Sequence, residues 1–432
     1  MTARWTALLI GVAVVVGLTP ATTPAAAAPA PLAVDPNSYL PYDLAVGAGP
    51  RGMAMLSGSQ PGYVANSGDG SVSVVTTCQP KSCLPAQSSR VDAGSGPESV
   101  AVSATGATAY VTLTGSDAVA VLTQPPATLA SVVTGTIPVG SRPADLALDP
   151  SGARLYVANN GADSVSVIDT ATNTVVATVP VGARPWGIAT GSSGARVYVA
   201  NNGADSVSVI DTATNTVVAT VPVGSAPGDI ALDPQGAFAY VTNNAGASVS
   251  VIDTTSGSVV ATIPVGSQPW GIAVTADGAS AFVANYADGT TSVIDLATRS
   301  VVATIRVGAN PFGVATWSTA PADGSAVYVS NSGGSTVSAI QLEADTPAPT
   351  WTVRKRTRTV IGVVPLAAAV EYRIRAVQGT RVRTGTCVRT GASAPKAACT
   401  VRLSKGTWRV SVTTRLPWQA VAGGNQNRKV RF

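Results

Sequence analysis

Residues 156–182 read YVANNGADSVSVIDTATNTVVATVPVG, and the same 27 letters return at residues 198–224. They belong to a unit of 42 residues that begins VGSRPADLALD at residue 139, and similar units begin at residues 181, 223, 265 and 307. Two more divergent units begin at residues 46 and 91, so the chain holds seven copies. A fixed period of this length predicts an array of one repeated supersecondary unit.

Each unit contains four short runs of alternating apolar and polar residues. In the unit at residue 139 these runs are ADLALD, RLYVAN, SVSVID and TVVATVPV, and turn sequences such as DPSG, NGAD and TATN separate them. Alternation with Gly, Pro, Asn and Asp between the runs indicates antiparallel strands joined by tight turns. Four such strands every 42 residues are typical of a β-propeller blade, so we predict an all-β, seven-bladed propeller.

The two ends of the repeat array indicate how the ring closes. The last unit, from residue 307, has only three runs, and the unassigned run YLPYDLAV (residues 39–46) precedes the first unit. We predict that residues 39–46 complete the last blade, which hides two strand edges that would otherwise be open to association. The predicted propeller then spans residues 39–344.

The second run of each unit carries a family signature. YVTN stands at residues 240–243, with the variants YVAN at 63, 156 and 198, FVAN at 282 and YVSN at 328, whereas the second unit has YVTL at 110. Over about residues 39–342 the chain resembles the YVTN family of β-propeller repeats. The resemblance implies an exported or surface protein, often of unassigned role; some relatives bind ligands or nucleic acid, and some lie in surface layers. Similar enzymatic propellers, such as lactonases and streptogramin lyases, use His or metal-ligating carboxylates in the channel.

The N-terminus and the cysteines predict export. Residues 1–28 resemble a signal peptide, with Arg4 before the apolar run ALLIGVAVVVGL and small residues up to the cleavage site. No cysteine follows the apolar run to carry a lipid, so we expect a secreted or cell-surface protein without a transmembrane segment in its mature form. In such a protein we expect two disulfides, Cys78 with Cys83 and Cys387 with Cys399.

The chain contains no histidine. Histidine is the commonest general base and a common ligand of zinc and copper, so its absence argues against a His-based triad and a transition-metal site. We therefore expect no metal and no cofactor, and we assign no catalytic residue.

The charge of the chain is divided between two regions. Residues 351–432 contain 17 Lys or Arg and one acid, Glu371, whereas residues 1–350 contain 10 basic and 21 acidic residues. We predict a linker at residues 345–351 and a small basic β-sandwich-like domain at residues 352–432. Arginines stand two residues apart along its runs, so they would share one face of an extended strand. An arginine-rich strand face can bind phosphate or carboxylate groups. The candidates are Arg354, Arg356, Arg358, Arg373, Arg375, Arg381 and Arg383; the alternative is that they are solvated surface charges.

A ligand site is expected where the blades differ, because residues shared by every blade build the scaffold. Two slots at the start of each innermost strand differ between units, directly after the proline of VGxxP. They are expected to surround one mouth of the channel. The candidates taken from them are Arg51, Glu98, Asp145, Trp186, Asp229, Trp270 and Phe312. The structural alternatives are packing of the aromatic rings between blades and capping of turns by Asp145 and Asp229.

Three functions are compatible with these features. The first is a monomeric binding or scaffold protein that takes a protein, glycan or small molecule at the propeller mouth, with a basic module for an anionic envelope polymer. The second is a lactonase-like hydrolase or lyase that uses the channel carboxylates. The third is nucleic-acid binding through arginine contacts and tryptophan stacking. The absent histidine and the near-identical central blades favour the first.

Overall fold

In the computed structural model of this chain, the described residues are 42–56, 61–76, 86–123, 131–318 and 325–342, followed by separate strands between residues 350 and 431. The predicted signal peptide lies outside the described residues, as do Cys78 and Cys83. Over the part that is described, no helix has the length and hydrophobicity needed to cross a membrane.

Seven four-stranded antiparallel sheets form the blades of a β-propeller, which confirms the predicted fold. The first blade holds β2–β5 and each later blade the next four strands, up to β25; the seventh holds β26–β28 and β1. The first strands are β1 (Tyr42–Ala45), β2 (Pro50–Ala54), β3 (Pro61–Asn66), β4 (Ser71–Thr76), β5 (Ala86–Asp92), β6 (Pro97–Val102), β7 (Thr108–Leu113), β8 (Ala118–Thr123), β9 (Val132–Pro138), β10 (Pro143–Leu148), β11 (Arg154–Asn159), β12 (Ser164–Asp169), β13 (Thr174–Pro180) and β14 (Pro185–Thr190). The others are β15 (Arg196–Asn201), β16 (Ser206–Asp211), β17 (Thr216–Pro222), β18 (Pro227–Leu232), β19 (Phe238–Asn243), β20 (Ser248–Asp253), β21 (Ser258–Pro264), β22 (Pro269–Val274), β23 (Ser280–Asn285), β24 (Thr290–Asp295), β25 (Ser300–Arg306), β26 (Pro311–Ser318), β27 (Ser325–Asn331) and β28 (Thr336–Leu342).

The N-terminal strand β1 completes the seventh blade. It pairs antiparallel with β28, from Tyr42 opposite Ala339 to Ala45 opposite Thr336. The hydroxyl of Ser338 donates a hydrogen bond of 2.6 Å to Asp43 Oδ1. Because the two ends of the propeller share one sheet, the ring cannot open without breaking this ladder.

The hydrophobic core lies between the blades. Each of seven clusters joins two neighbouring blades. In the third blade, Leu146 packs against the second blade, and the next residue, Ala147, packs against the fourth. Since neighbours on a strand point to opposite faces, this large-then-small order, present in all seven units, fills the narrowing space near the axis.

The asparagine that ends the YVAN run holds the second and third strands together. The Asn159 amide donates to Ser164 Oγ at 3.1 Å and to Ser166 Oγ at 2.9 Å. In the second blade, Leu113 takes the place of the asparagine, and Ala118 and Ala120 take the places of the two serines. All three polar partners are thus replaced by apolar residues, which avoids leaving a buried polar group unpaired.

The C-terminal segment forms seven further strands, β29 (Thr350–Arg354), β30 (Thr359–Pro365), β31 (Glu371–Gln378), β32 (Arg381–Thr390), β33 (Lys396–Arg402), β34 (Thr407–Arg415) and β35 (Gly423–Arg431). They pair antiparallel in the order β29-β30-β33-β32-β31-β34-β35. Strand β32 pairs with β31 through its first half and with β33 through its second half. The sandwich-like fold of this segment stays a prediction.

Candidate binding site at the channel mouth

A β-bulge opens every innermost strand directly after its proline. In the third blade Pro143 lies opposite Asn159, but Leu146 lies opposite Val157, so one extra residue is inserted between them. The other six blades have the same irregularity at the same place. On a regular strand, the two residues that follow the proline would point to opposite faces. The bulge instead lets both Ala144 and Asp145 line one cavity.

This cavity lies at one mouth of the channel, and the innermost strand of every blade contributes to its wall. It is lined by Gly52, Glu98, Ser99, Ala144, Asp145, Trp186, Asp229, Trp270, Gly271, Phe312 and Gly313. Six of the seven candidates chosen from the sequence are among them, and the seventh, Arg51, contacts two of these. The cavity volume is about 50 Å³, which holds on the order of three to five water molecules.

Glycines allow the innermost strands to approach one another at the mouth. A Cβ atom on Gly187 would lie 2.6 Å from the Cα of Asp229, and one on Gly313 would lie 2.5 Å from the carbonyl oxygen of Arg51. Both distances are shorter than a carbon atom tolerates, so these positions accept no side chain without a backbone shift. The second slot therefore carries side chains only at Ser99, Asp145 and Asp229.

Asp145 connects its own blade to both of its neighbours, and Asp229 connects its own blade to the next one. Asp145 accepts hydrogen bonds from Ser99 Oγ at 2.6 Å and from the Ile188 backbone nitrogen at 3.0 Å. Asp229 accepts from the backbone nitrogens of Ile230 at 2.7 Å and of Ile272 at 3.0 Å. Ser99 was not among the predicted site residues, although it occupies the same slot as the two aspartates.

The mouth raises the pKa of its carboxyl groups. Desolvation, together with the negative charge of Asp145, raises the pKa of Asp229 to about 7. Desolvation also raises the pKa of Asp145 and of Glu98, and in Glu98 the neighbouring Arg51 opposes the rise. The negative charge of Asp145 thus raises the pKa of both Glu98 and Asp229, in addition to desolvation.

Arg51 joins the acidic and the aromatic residues. Its Nη1 lies 2.8 Å from Oε1 of the buried Glu98, and its guanidinium carbon lies 4.8 Å from the centre of the Phe312 ring. The ring centres of Trp270 and Phe312 are 5.3 Å apart, and those of Trp186 and Trp270 are 4.9 Å apart. Blades four, six and seven thus supply an aromatic cluster, and blades two, three and five supply the carboxylates.

The aspartates that end the third strand of blades three, four and five form different hydrogen bonds from those of the mouth. Asp169 Oδ1 accepts hydrogen bonds from the backbone nitrogens of Ala171 and Thr172 in the following turn, and its other oxygen pairs with Arg154. The Arg154 side chain and the turn amides lower the pKa of Asp169. Asp211 and Asp253 bond to the same turn in their own blades. These aspartates therefore stabilise the turn that follows the third strand of their own blade.

The C-terminal arginines divide between two faces of the sheet. In the strand register, Arg373 and Arg375 share a face with Arg409, Lys429 and other basic positions of β34 and β35. Arg383 lies opposite Ala376 and therefore belongs, with Arg381, to the other face. Arg354 ends β29, whereas Arg356 and Arg358 lie outside the described residues.

Two predicted features concern covalent and metal chemistry. Cys387 lies directly opposite Cys399 in the register of β32 and β33; the disulfide between them stays a prediction. Among the described residues, no group of three or more His, Cys, Asp or Glu side chains is placed to hold a metal ion.

A family profile described as "YNCE-like beta-propeller" matches residues 82–237 and 231–322, which is more than half of the chain. The chain belongs to the YNCE-like β-propeller family. This match, with the seven observed blades, confirms the YVTN-type propeller indicated by the repeat sequence. No curated protein sequence matches the chain.

Solved structures support the fold. Hydrazine synthase of Kuenenia stuttgartiensis is similar with a TM-score of 0.61 and 22% identity, over 69% of this chain and 96% of that one. A functionally unknown protein from Desulfotomaculum acetoxidans is similar with a TM-score of 0.51 and 17% identity, over 60% of this chain and 86% of that one. At such identities the likeness concerns the propeller fold alone.

Proposed function

We propose that this chain is an exported binding protein that takes its ligand at the channel mouth. One observation carries the proposal: the wall of the cavity is built at the two slots where the blades differ. Blades three and four share 27 consecutive residues, yet their first slots hold Ala144 and Trp186 and their second slots hold Asp145 and Gly187. Both mouth positions thus differ between two blades whose second, third and outer strands are almost identical, which indicates a binding surface supported by a repeated scaffold.

The size of the cavity restricts what it encloses. A space of about 50 Å³ is far below the several hundred Å³ that a drug-sized ligand fills. The mouth therefore takes one small group of its ligand, and the rest of that ligand lies outside the channel. This arrangement suits a side chain of a protein partner or the end of a small molecule.

The C-terminal segment is proposed to hold the protein to an anionic envelope polymer. Register places six basic residues on one face of β31, β34 and β35: Arg373, Arg375, Arg409, Arg415, Lys429 and Arg431. Residues two apart on a strand are about 7 Å apart, so the face offers a regular array of positive charge. Glu371, the one acidic residue in the sequence of residues 351–432, also belongs to this face, opposite Arg415.

Nucleic-acid binding is less well supported by the same observations. Sequence-tolerant binding of single strands combines positive charge with aromatic rings on which bases stack. The aromatic residues of these strands, Tyr372 and Trp408, fall on the face opposite Arg373 and Arg409. At the channel mouth the tryptophans lie beside three carboxyl groups, which repel phosphates when ionised.

A channel hydrolase is the second candidate function, and the pKa of Asp229 favours it. A carboxyl group whose pKa lies near neutral pH can serve as a general acid or base, and Asp229, at about 7, meets that condition. If hydrolysis occurs, Asp229→Asn should abolish turnover of lactone or ester substrates. A variant with unchanged turnover would remove Asp229 from this role.

The mouth site is tested by a thermal-shift screen with cationic, anionic and neutral small molecules. We expect at least one chemical class to stabilise the native protein and to lose that effect in Trp270→Ala, which removes the centre of the aromatic cluster. Val176→Thr, on the exposed outer strand β13, is the matched control and should respond like the native protein. If no class stabilises the native protein, the mouth is not a small-ligand site.

The basic face is tested with the full chain and polyphosphate as the probe. Binding should weaken steeply between low and physiological salt, because each neutralised phosphate releases counterions. Reversal of Arg373, Arg375, Arg409 and Lys429 to Glu should remove most of the affinity. Single-stranded DNA of equal charge is the comparison, and tighter binding of DNA than of polyphosphate would favour the nucleic-acid function.

A further inference from the structure

We infer that the channel-mouth cavity binds an alkylammonium group, either a free amine or the end of a lysine side chain. The inference rests on the proposed ligand site and specifies its chemistry. Three independent features of the mouth lead to it: the balance of charge, the arrangement of aromatic rings and the size of the space.

The charges around the cavity leave room for one more cation. Glu98 is paired with Arg51 at 2.8 Å. Asp145 and Asp229 form no ion pair within the described residues; their partners are a hydroxyl and backbone nitrogens. A carboxylate accepts about four hydrogen bonds, so each aspartate retains acceptor capacity. A cation between these two groups offsets the desolvation and the repulsion by Asp145 that together raise the pKa of Asp229.

The aromatic rings favour the same ligand. Trp186, Trp270 and Phe312 form one cluster with ring centres 4.9 to 6.4 Å apart, and all three line the cavity that Asp145 and Asp229 line. Aromatic faces attract a cation within about 6 Å of the ring centre. Arg51 already makes this contact, at 4.8 Å from the centre of Phe312.

The size and the donor set favour an ammonium group over a divalent metal ion. A volume of about 50 Å³ equals about three to five water molecules, the size of a small alkylammonium head. The described carboxylates are not grouped as a metal site, and a divalent metal prefers oxygen ligands to ring faces. An alkylammonium group suits both the carboxylates and the rings, because its N–H groups donate hydrogen bonds to the carboxylates and its alkyl part packs on the rings.

The first experiment compares cations with neutral molecules of the same shape on the native full-length protein. Calorimetric titrations use butylammonium against 1-butanol, and choline against 3,3-dimethyl-1-butanol. We expect each cation to bind at least tenfold more tightly than its neutral counterpart. Equal affinities would overturn the inference, because they would mean that the cavity responds to shape alone.

The second experiment uses variants with opposite expected effects. Asp229→Asn removes a charge and should weaken butylammonium binding at least tenfold. Arg51→Gln frees the Phe312 face and the Glu98 carboxylate, and should strengthen it severalfold. Asp169→Asn changes a turn aspartate outside the mouth and should leave the affinity unchanged. Loss of affinity in Asp169→Asn, or no change in the other two, would contradict the inference.

Affinity should also rise between pH 5 and pH 8. The titratable and charged groups at the cavity are Glu98, Asp145, Asp229 and Arg51, and Asp229, with a pKa of about 7, becomes negatively charged over this range. A fall in affinity with rising pH would overturn the inference.

The source of the ammonium group is distinguished by a final pair of ligands. A peptide with one central lysine is compared with the same peptide acetylated on that lysine. If the lysine peptide binds more tightly than butylammonium and the acetylated peptide does not bind, the partner is a protein. If butylammonium binds and neither peptide does, the ligand is a free amine. If anionic or neutral compounds bind instead of any cation, the mouth remains a ligand site and only its assignment to cations is wrong.

Discussion

The innermost and outermost strands of a blade use the same kind of sequence under different constraints. In the innermost strand β14, Gly187 lies so close to the fifth blade that an added Cβ would overlap the backbone of Asp229. In the outermost strand β13, Val176 is 51% exposed, and the sequence TVVATVP is identical in β17. Blades converge toward the axis and diverge toward the rim. The size of a residue near the axis is therefore limited by contacts with other blades, whereas a residue at the rim is constrained mainly by its own strand.

This difference explains where the variation between units lies. The outer strands of blades three to six repeat almost unchanged, because nothing nearby distinguishes one of these blades from the next. Residues of the two bulge positions differ, and those differences bring Glu98, Asp145 and Asp229 to one cavity although they stand 47 and 84 residues apart. In blades three to six, the repeated positions build the scaffold, and the bulge positions, which differ between blades, supply residues that line the cavity.

The largest effect is expected from a methyl group at the axis. Gly187→Ala places a Cβ 2.6 Å from the Cα of Asp229 and 2.7 Å from the carbonyl oxygen of Gly228. This overlap should lower the free energy of unfolding by about 3 kcal/mol. Gly135→Ala, in the outer strand β9, meets nothing within 4 Å and should change it by less than about 0.5 kcal/mol. Urea unfolding of both variants measures the contrast. Equal effects would show that the axis is less crowded than the fold implies.

The next effect concerns the pH dependence of stability. The pKa of Asp229 is about 7 in the folded protein, above the value of about 3.9 for an unfolded chain. A carboxyl group with a raised pKa favours the folded state at low pH, and this contribution is lost as pH rises through 7. Between pH 5 and pH 8 we expect the native protein to lose about 2 kcal/mol of unfolding free energy. The chain has no histidine to obscure this range.

Two variants separate the mouth from the rim in that measurement. Asp229→Asn should flatten the dependence between pH 5 and pH 8. Asp169→Asn should leave it intact, because the pKa of Asp169 is lowered, and its contribution is lost only as pH falls below about 4. Thermal unfolding at four pH values is sufficient. A native profile without any decline would contradict the raised pKa.

The smallest effect is expected at the rim. Val176→Thr, at a side chain that is 51% exposed, should change the unfolding free energy by less than about 0.5 kcal/mol. The same substitution at Val179, which is 2% exposed in the same strand, buries a hydroxyl group and should lower it by about 1–3 kcal/mol. Similar values for the two variants would mean that the outer strand is covered in solution.

The strand pattern of the propeller could be predicted because each blade is a local structure. Alternating residues and turn sequences define four strands within 42 residues, and the repeat count defines the number of blades. The mouth residues could be located for the same reason, since equivalent positions in a symmetrical ring lie at the same end of the channel. Six of the seven chosen candidates line the cavity, and Arg51 contacts Glu98 and Phe312.

The contacts within the mouth depend on the tertiary structure. Period-two alternation assigns Ala144 and Asp145 to opposite faces, and only the bulge after Pro143 brings both to one cavity. The hydrogen bond from Ser99 to Asp145 joins residues in different blades.

Sequence by itself therefore determined the blade, the number of blades and the end of the channel where they differ, because these follow from local periodicity and symmetry. Which side chains meet, how close the glycines approach and how far the pKa of Asp229 rises were decided only by the closed ring. Closure brings together residues more than 40 positions apart and removes water from between them, and no local pattern records that distance.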